Sequence, residues 1–225
     1  MFDVENKNLS IIVPHPDDET LGAGGTISRY SKMGWKINSL VVSGHLPPLY
    51  KRETYDNIIF EYKNAAKVLG IQNTQFLEIP ATRVREEPIA ELNAKIYNFL
   101  KKTKPSILLI PFPDRHIDHK NIFEASLVAS RPIEQMKSIN LIAAYETLSE
   151  THWNVSYLEP NFVPNININI SSEIELKLNA MKCYPSQLKN NSSRSISAIK
   201  ALARFRGSQN GFEFAESFVC IRSNF

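Results

Sequence analysis

Short apolar runs alternate along this chain with longer segments whose apolar residues recur at helical spacing. Leu9 to Val13, Lys36 to Ser43, Thr74 to Ile79, Ser106 to Pro111 and Leu141 to Glu146 read as strands. Between them, Leu21 to Lys32, Arg52 to Leu69, Pro88 to Lys102 and His119 to Ser130 read as helices. The second helix is the best marked: Ile58, Ile59, Tyr62, Ala65, Ala66 and Leu69 share one face, and Gly70 stops it. Pro88 opens the third helix, and Pro47-Pro48 makes His45 to Tyr50 a loop. Strand alternating with helix predicts an α/β fold, with a mostly parallel sheet and right-handed crossovers.

The last third follows another pattern. Asn165 to Ile170 alternates Asn with Ile, the period of a half-buried strand. Ser172 to Tyr184 and Ser195 to Phe205 have helical spacing, and Phe212 to Ile221 reads as a final strand. Without a repeat, low-complexity tract or linker, residues 1–225 are expected to form one domain, its last third covering the active edge of the sheet.

Composition narrows the partners. A formal charge of +3, from 26 basic and 23 acidic side chains, predicts no nucleic-acid partner, and Lys101-Lys102-Thr103-Lys104 and Arg204-Phe205-Arg206 are too short to alter that. Cys183 and Cys220 lack CxxC spacing and lie in apolar patterns, so inert core thiols in a cytoplasmic protein are expected. Met1 to Glu5 carries no signal-peptide pattern, and no apolar run reaches the ~18 residues of a membrane span.

The candidate chemistry lies in two clusters. His15-Pro16-Asp17-Asp18-Glu19 follows the first strand, and Asp114-Arg115-His116-Ile117-Asp118-His119 follows the fourth. Together they hold three of the chain's five histidines. Strand ends at the carboxyl edge of a sheet are where α/β proteins assemble their sites. His15 and Asp18 are three apart in a turn, and His116 and His119 three apart at a helix start. Two imidazoles and one carboxylate leave coordination positions open, as in catalytic rather than structural zinc sites. A remaining carboxylate could take a proton from water, and a remaining imidazole could donate one or steady an oxyanion. A dinucleotide loop is excluded, because Ile27 stands where GxGxxG needs its third glycine and three carboxylates fill the turn.

His15-Pro16-Asp17-Asp18-Glu19 with His116-Ile117-Asp118-His119 resembles the zinc-dependent de-N-acetylases of the PIG-L/LmbE-like family. The resemblance continues through Glu61 to Gly70, Tyr184-Pro185-Ser186-Gln187, Arg206-Gly207 and Ala215-Glu216-Ser217-Phe218. It implies a Rossmann-like fold and zinc bound by His15, Asp18 and His119. It implies Asp17 as general base, His116 as acid or oxyanion stabiliser, Asp118 as the polar neighbour of His116, and Glu19 behind the site. It also implies an N-acetylated amino sugar or glycoconjugate as substrate, and a possible trimer or hexamer.

The chain departs from relatives acting on small glucosaminides. Ile58 stands where they carry arginine, and Gly44-His45-Leu46-Pro47-Pro48 replaces a Gly/Ser-rich loop. With Tyr145-Glu146 and Ser149 to Trp153, these departures point to a sugar carried on a larger group. Arg131 and Arg194 are candidate clamps for that group, and Glu19 a further candidate contact. His45 and His152 are expected at the rim or surface. A two-His, one-carboxylate site would also suit a non-haem iron oxygenase, but those sites usually sit on β-barrels. A catalytically silent relative would show a degraded ligand or base position, and none is degraded.

Overall fold

The computed structural model describes residues 6–155, 157–188 and 192–224; Met1 to Glu5, on which the signal-peptide expectation rests, lie outside them. The strands are β1 (Asn8–Val13), β2 (Lys36–Gly44), β3 (Asn73–Pro80), β4 (Ile107–Pro111), β5 (Leu141–Tyr145), β6 (Ile166–Asn169) and β7 (Ala215–Ser223). They form one seven-stranded sheet in the order β3-β2-β1-β4-β5-β7-β6. The first five pair in parallel, whereas β7 runs antiparallel between β5 and β6.

The helices are α1 (Asp18–Lys32), α2 (Arg52–Leu69), α3 (Ile89–Thr103), α4 (Ile117–Ala129), α5 (Ile174–Lys182), the short α6 (Pro185–Leu188) and α7 (Ile196–Ser208). Neighbouring strand residues feed opposite cores, as the pleat requires. Ile11 and Val41 pack with Ile27, Tyr62, Leu178 and Ala203 from α1, α2, α5 and α7. Ile12 and Leu40 pack with Leu92, Ile96, Phe99 and Ile122 from α3 and α4. The expected α/β sheet with helices on both faces is the fold observed. α1 and α4 begin earlier than apolar spacing indicates, at Asp18 and Ile117. Acidic first turns suit a helix N-terminus but leave no apolar signal.

Chain order sets the site. β1 pairs with β2 on one side and with β4 on the other, so the crossovers diverge between β1 and β4. A crevice opens at such a switch point. α1 lies close above the sheet: a Cβ on Gly22 would come 2.2 Å from the Tyr145 ring, and one on Gly25 2.7 Å from Ile170.

A buried ion pair ties the last third to α1. Lys177 of α5 donates to Glu216 of β7 at 2.5 Å and to the Leu21 carbonyl at 2.8 Å. Glu216 in turn accepts the Gly25 and Thr26 amides at 2.9 and 2.7 Å. Glu216→Ala should therefore cost about 3–5 kcal/mol, because it strands a buried ammonium. Urea unfolding of the variant against the parent protein measures this, and a loss below about 1 kcal/mol would contradict it.

Candidate active site

Both clusters open on the crevice between β1 and β4. β1 ends at Val13, and the Asp18 amide closes the following turn onto the His15 carbonyl at 3.1 Å. Asp17 then adopts φ 116°, a left-handed conformation costing a non-glycine residue about 1–3 kcal/mol. It stands at the N-cap of α1, yet its side chain makes no capping hydrogen bond. Its carboxylate faces the cleft, with Arg194 Nη1 3.3 Å from Oδ2.

The two rings expected as ligands are each held from behind. His15 Nε2 lies 2.9 Å from Asp118 Oδ2, and His119 Nδ1 lies 3.0 Å from Asp114 Oδ2. The remaining nitrogens, His15 Nδ1 and His119 Nε2, each lie 3.3 Å from Asp18 Oδ2. Two nitrogens and a carboxylate thus converge, and each ring passes its far N–H to a carboxylate. That pairing orients histidine toward a metal and raises its basicity. One nitrogen from each of His15, His116 and His119 also lies within 4.8 Å of the others.

His116 differs from the other two. It caps α4 through its ring, Nδ1 accepting the Asp118 amide at 3.2 Å. In a neutral ring so engaged the proton sits on Nε2, which makes that atom a donor rather than a ligand. Burial and the neighbouring His15 and His119 push its pKa down to about 4, so the ring is neutral at pH 7. The donors therefore fit a cation held by His15, Asp18 and His119, with His116 beside it.

The other ionisations follow from burial and pairing. Burial opposes charge on His15, but its contacts with Asp118 and Asp18 prevail and raise it to about 9. His119 is raised well above its usual value by Asp18 and Asp114 against the same penalty. Those two imidazoles hold Asp18 well below the usual carboxylate range, despite its burial. Asp17 goes the other way: burial raises it to about 8, and Arg194 only partly offsets this.

Asp118 neighbours His116 through its backbone amide, which donates to Nδ1, while its carboxylate holds His15 and accepts the Thr82 amide at 2.7 Å. Several expectations need correction. Glu19 cannot touch substrate. It is fully buried, accepting the Asp17 amide at 3.1 Å and the Tyr184 hydroxyl at 2.6 Å. Arg131 is exposed just past the C-terminus of α4, donating to the Val128 carbonyl. Arg194 does line the cleft, but Gln187 Oε1, Ser149 Oγ and Asp17 engage it at 2.6, 3.1 and 3.3 Å. Cys183 and Cys220 are free but half-buried rather than core thiols. His45 lines the cleft as expected, and His152 lies 2.9 Å from Glu146.

Sequence reasoning passed over Asp114 as a functional residue, although it opens the second cluster. Besides His119, it accepts the His116 amide at 3.0 Å and the Thr151 hydroxyl at 2.9 Å. A carboxylate two residues before one cluster histidine and five before the other was the available signal. The cleft between these residues has a volume of about 100 Å³.

Residues 10–130, more than half the chain, match the family model described as GlcNAc-PI de-N-acetylase, PIG-L. The chain is 28% identical over 236 residues to diacetylchitobiose deacetylase of Thermococcus kodakarensis, covering 93% of this chain and 81% of that protein. Among solved structures, N,N'-diacetylchitobiose deacetylase of Pyrococcus horikoshii superposes with TM-score 0.76 at 23% identity, covering 96% of this chain and 84% of that one. GalB, a 4-carboxy-2-hydroxymuconate hydratase of Pseudomonas putida, superposes with TM-score 0.79 at 15% identity over 97% of this chain and 98% of its own. The two superpositions show the shared fold alone.

Two predictions follow from the cradle. Asp114→Asn and Asp118→Asn should each weaken divalent-metal binding about 10–100-fold, the usual effect of removing the carboxylate behind a liganding histidine. Competition with a chelating dye measures it, and unchanged affinity in both variants would break the cradle.

The second concerns chelator-treated protein. His15 is raised from 6.5 to about 9, so the stability it contributes is complete below pH 6.5 and lost as pH rises through 9. Asp17, raised to about 8, favours the folded state less as it ionises toward that pH. Melting temperature of the chelated protein should therefore fall between pH 6.5 and 9. A rise over that window in thermal scans would contradict it.

Proposed function

This chain belongs to the PIG-L family, GlcNAc-PI de-N-acetylase, and we propose that it is a zinc-dependent hydrolase that removes the acetyl group from an N-acetylated amino sugar carried on a larger group. One observation carries the reading: an uncapped, buried carboxylate, Asp17, stands beside a two-histidine, one-carboxylate cradle. The relative from Thermococcus kodakarensis, a diacetylchitobiose deacetylase, supports the substrate class. The working unit spans residues 1–225 in this reading, since Tyr184 and Arg194 of the last third reach Glu19 and Asp17. Among the described residues no helix is long and apolar enough to cross a membrane. The free thiols support a cytoplasmic setting.

His15, Asp18 and His119 would hold the ion, which when bound polarises the substrate carbonyl and makes water more acidic. Asp17 removes a proton from the water that attacks the amide carbon. Burial favours its protonated form, which helps it return the proton, and a cation in the neighbouring cradle would favour the ionised form that first accepts it. His116 donates its Nε2 hydrogen to the carbonyl oxygen as negative charge develops there. The C–N bond then breaks, acetate is released, and the proton held on Asp17 passes to the departing amine. Buried Glu19 keeps the Asp17 backbone in its strained conformation throughout.

An iron oxygenase would use the same cradle but has no evident task for Asp17. Acetate release from a panel of N-acetyl sugars, with and without chelator, tests the proposal together with metal analysis. Asp17→Asn should retain metal and lose about 10²–10⁴-fold in kcat. His116→Ala should lower kcat far more than metal content. Free N-acetylglucosamine should be a poor substrate, because it forfeits binding energy from the attached group. Chelator-insensitive activity, or full activity of Asp17→Asn, would refute the mechanism.

A further inference from the structure

The turn after β5 puts an acidic side chain into the cleft for which the chemistry above has no task. Glu150 lines the same space as His15, Asp17 and His119, with its side chain 19% exposed. Among the described residues its carboxylate takes no hydrogen bond, and its nearest cation, Arg194 Nη2, is 4.0 Å away. Nη1 and Nε of that arginine are engaged by Gln187, Asp17 and Ser149, while Nη2 faces Glu150 from beyond hydrogen-bond distance. Burial raises the pKa of Glu150, and the charges of His119 and Arg194 only partly offset it. A half-desolvated acceptor in a cleft is costly unless a ligand satisfies it.

The turn is rigid. The Glu150 amide donates to the Thr147 carbonyl at 2.9 Å, and Thr151 Oγ1 accepts the Thr147 amide at 2.8 Å. The same hydroxyl donates to Asp114, which holds His119. Glu150 is thereby registered to the metal cradle. The β2–α2 loop contributes a wall of different chemistry: His45 and Tyr50 pack ring to ring at 4.4 Å, and both line the cleft. Burial and nearby His15 and Arg194 lower the pKa of His45, so this wall is neutral and aromatic. A sugar ring presents hydroxyls at its edge and an apolar C–H face, matching a carboxylate acceptor and an aromatic surface.

We propose that Glu150 determines specificity by accepting hydroxyls of the sugar beside the acetamide, so that the cleft takes neutral sugars over those bearing phosphate or carboxylate at that position. This rests on the deacetylase reading above. It also replaces the expectation that Arg131 and Arg194 clamp a charged group.

The test compares wild type, Glu150→Gln and Glu150→Ala on N,N'-diacetylchitobiose and N-acetylglucosamine 1-phosphate, by steady-state kinetics and by calorimetric binding to the metal-loaded protein. Wild type should have the higher kcat/KM on the neutral disaccharide. Glu150→Ala should raise its KM about 10–100-fold, the loss of a charged hydrogen bond, while kcat stays within about threefold. Glu150→Gln, which still accepts hydrogen bonds and keeps the shape, should recover part of that loss and narrow the bias against phosphate. Unchanged KM in both variants, a loss in kcat alone, or a wild-type preference for the phosphate would overturn the proposal. If wild type releases no acetate yet binds the disaccharide through Glu150, the deacetylase reading fails and the subsite stands. If it neither cleaves nor binds either sugar, both fall.

Discussion

Parallel pairing of β1 with β4, Leu9 opposite Ile107 and Ile11 opposite Leu109, delivers two segments about a hundred residues apart to one crevice. The pairing is made of backbone hydrogen bonds and carries no chemistry of its own. It nevertheless obliges His15, Asp17 and Asp18 to share a small, poorly hydrated space with Asp114, Asp118 and His119. Four carboxylates there would repel one another and lose hydration. The arrangement relieves this by alternation: Asp118, His15, Asp18, His119 and Asp114 form a chain in which each ring lies between two carboxylates. A divalent cation would replace the inner protons of that chain and keep its outer contacts. Asp17 stands outside the alternation, and its pKa rises accordingly.

Much of this was legible in the chain. The five parallel strands, the crossovers and the two clusters follow from apolar runs and their polar ends, because those signals are local. The pairing of carboxylates with rings was not legible. Asp118 is one residue from His119 and two from His116, yet its side chain holds His15, through a contact created only by the sheet. Arg131 and Arg194 were equivalent as letters. α4 is 13 residues long, and at about 1.5 Å per residue it carries Arg131 roughly 20 Å from the crevice. Arg194 returns to the crevice because the last third folds back across it. Glu150 lies in the Ser149 to Trp153 stretch that departs from the relatives, yet nothing marked its own carboxylate, since an acid between serine and threonine resembles any surface turn.

The fold constrains the reaction less than the site does. A hydratase and a deacetylase superpose on this chain about equally well. Both reactions need a water that loses a proton at a chosen moment. Hydrolysis of an amide further requires that proton to be returned to a nitrogen. In the proposed reaction that requirement falls to Asp17, which is buried, makes no capping bond, and is balanced between Arg194 and neighbouring carboxylates. A carboxylate acting as an ordinary N-cap would be tied to backbone amides and held at low pKa.

Strain at Asp17 explains why remote parts of the chain matter to the crevice. A left-handed aspartate relaxes unless its surroundings fix it. Glu19 holds its amide, Tyr184 holds Glu19, and α1, which starts at Asp18, is pressed onto the sheet through Gly22 and anchored by Glu216 and Lys177. Ser186 ties the Tyr184 segment to Glu61 of α2, and Arg206 makes a two-point contact with Glu146, just past β5. These contacts bear on the direction of one carboxylate rather than on the identity of the metal donors. The C-terminal segments are thus the means by which a strained carboxylate keeps its place, while the two clusters alone suffice to describe the cradle.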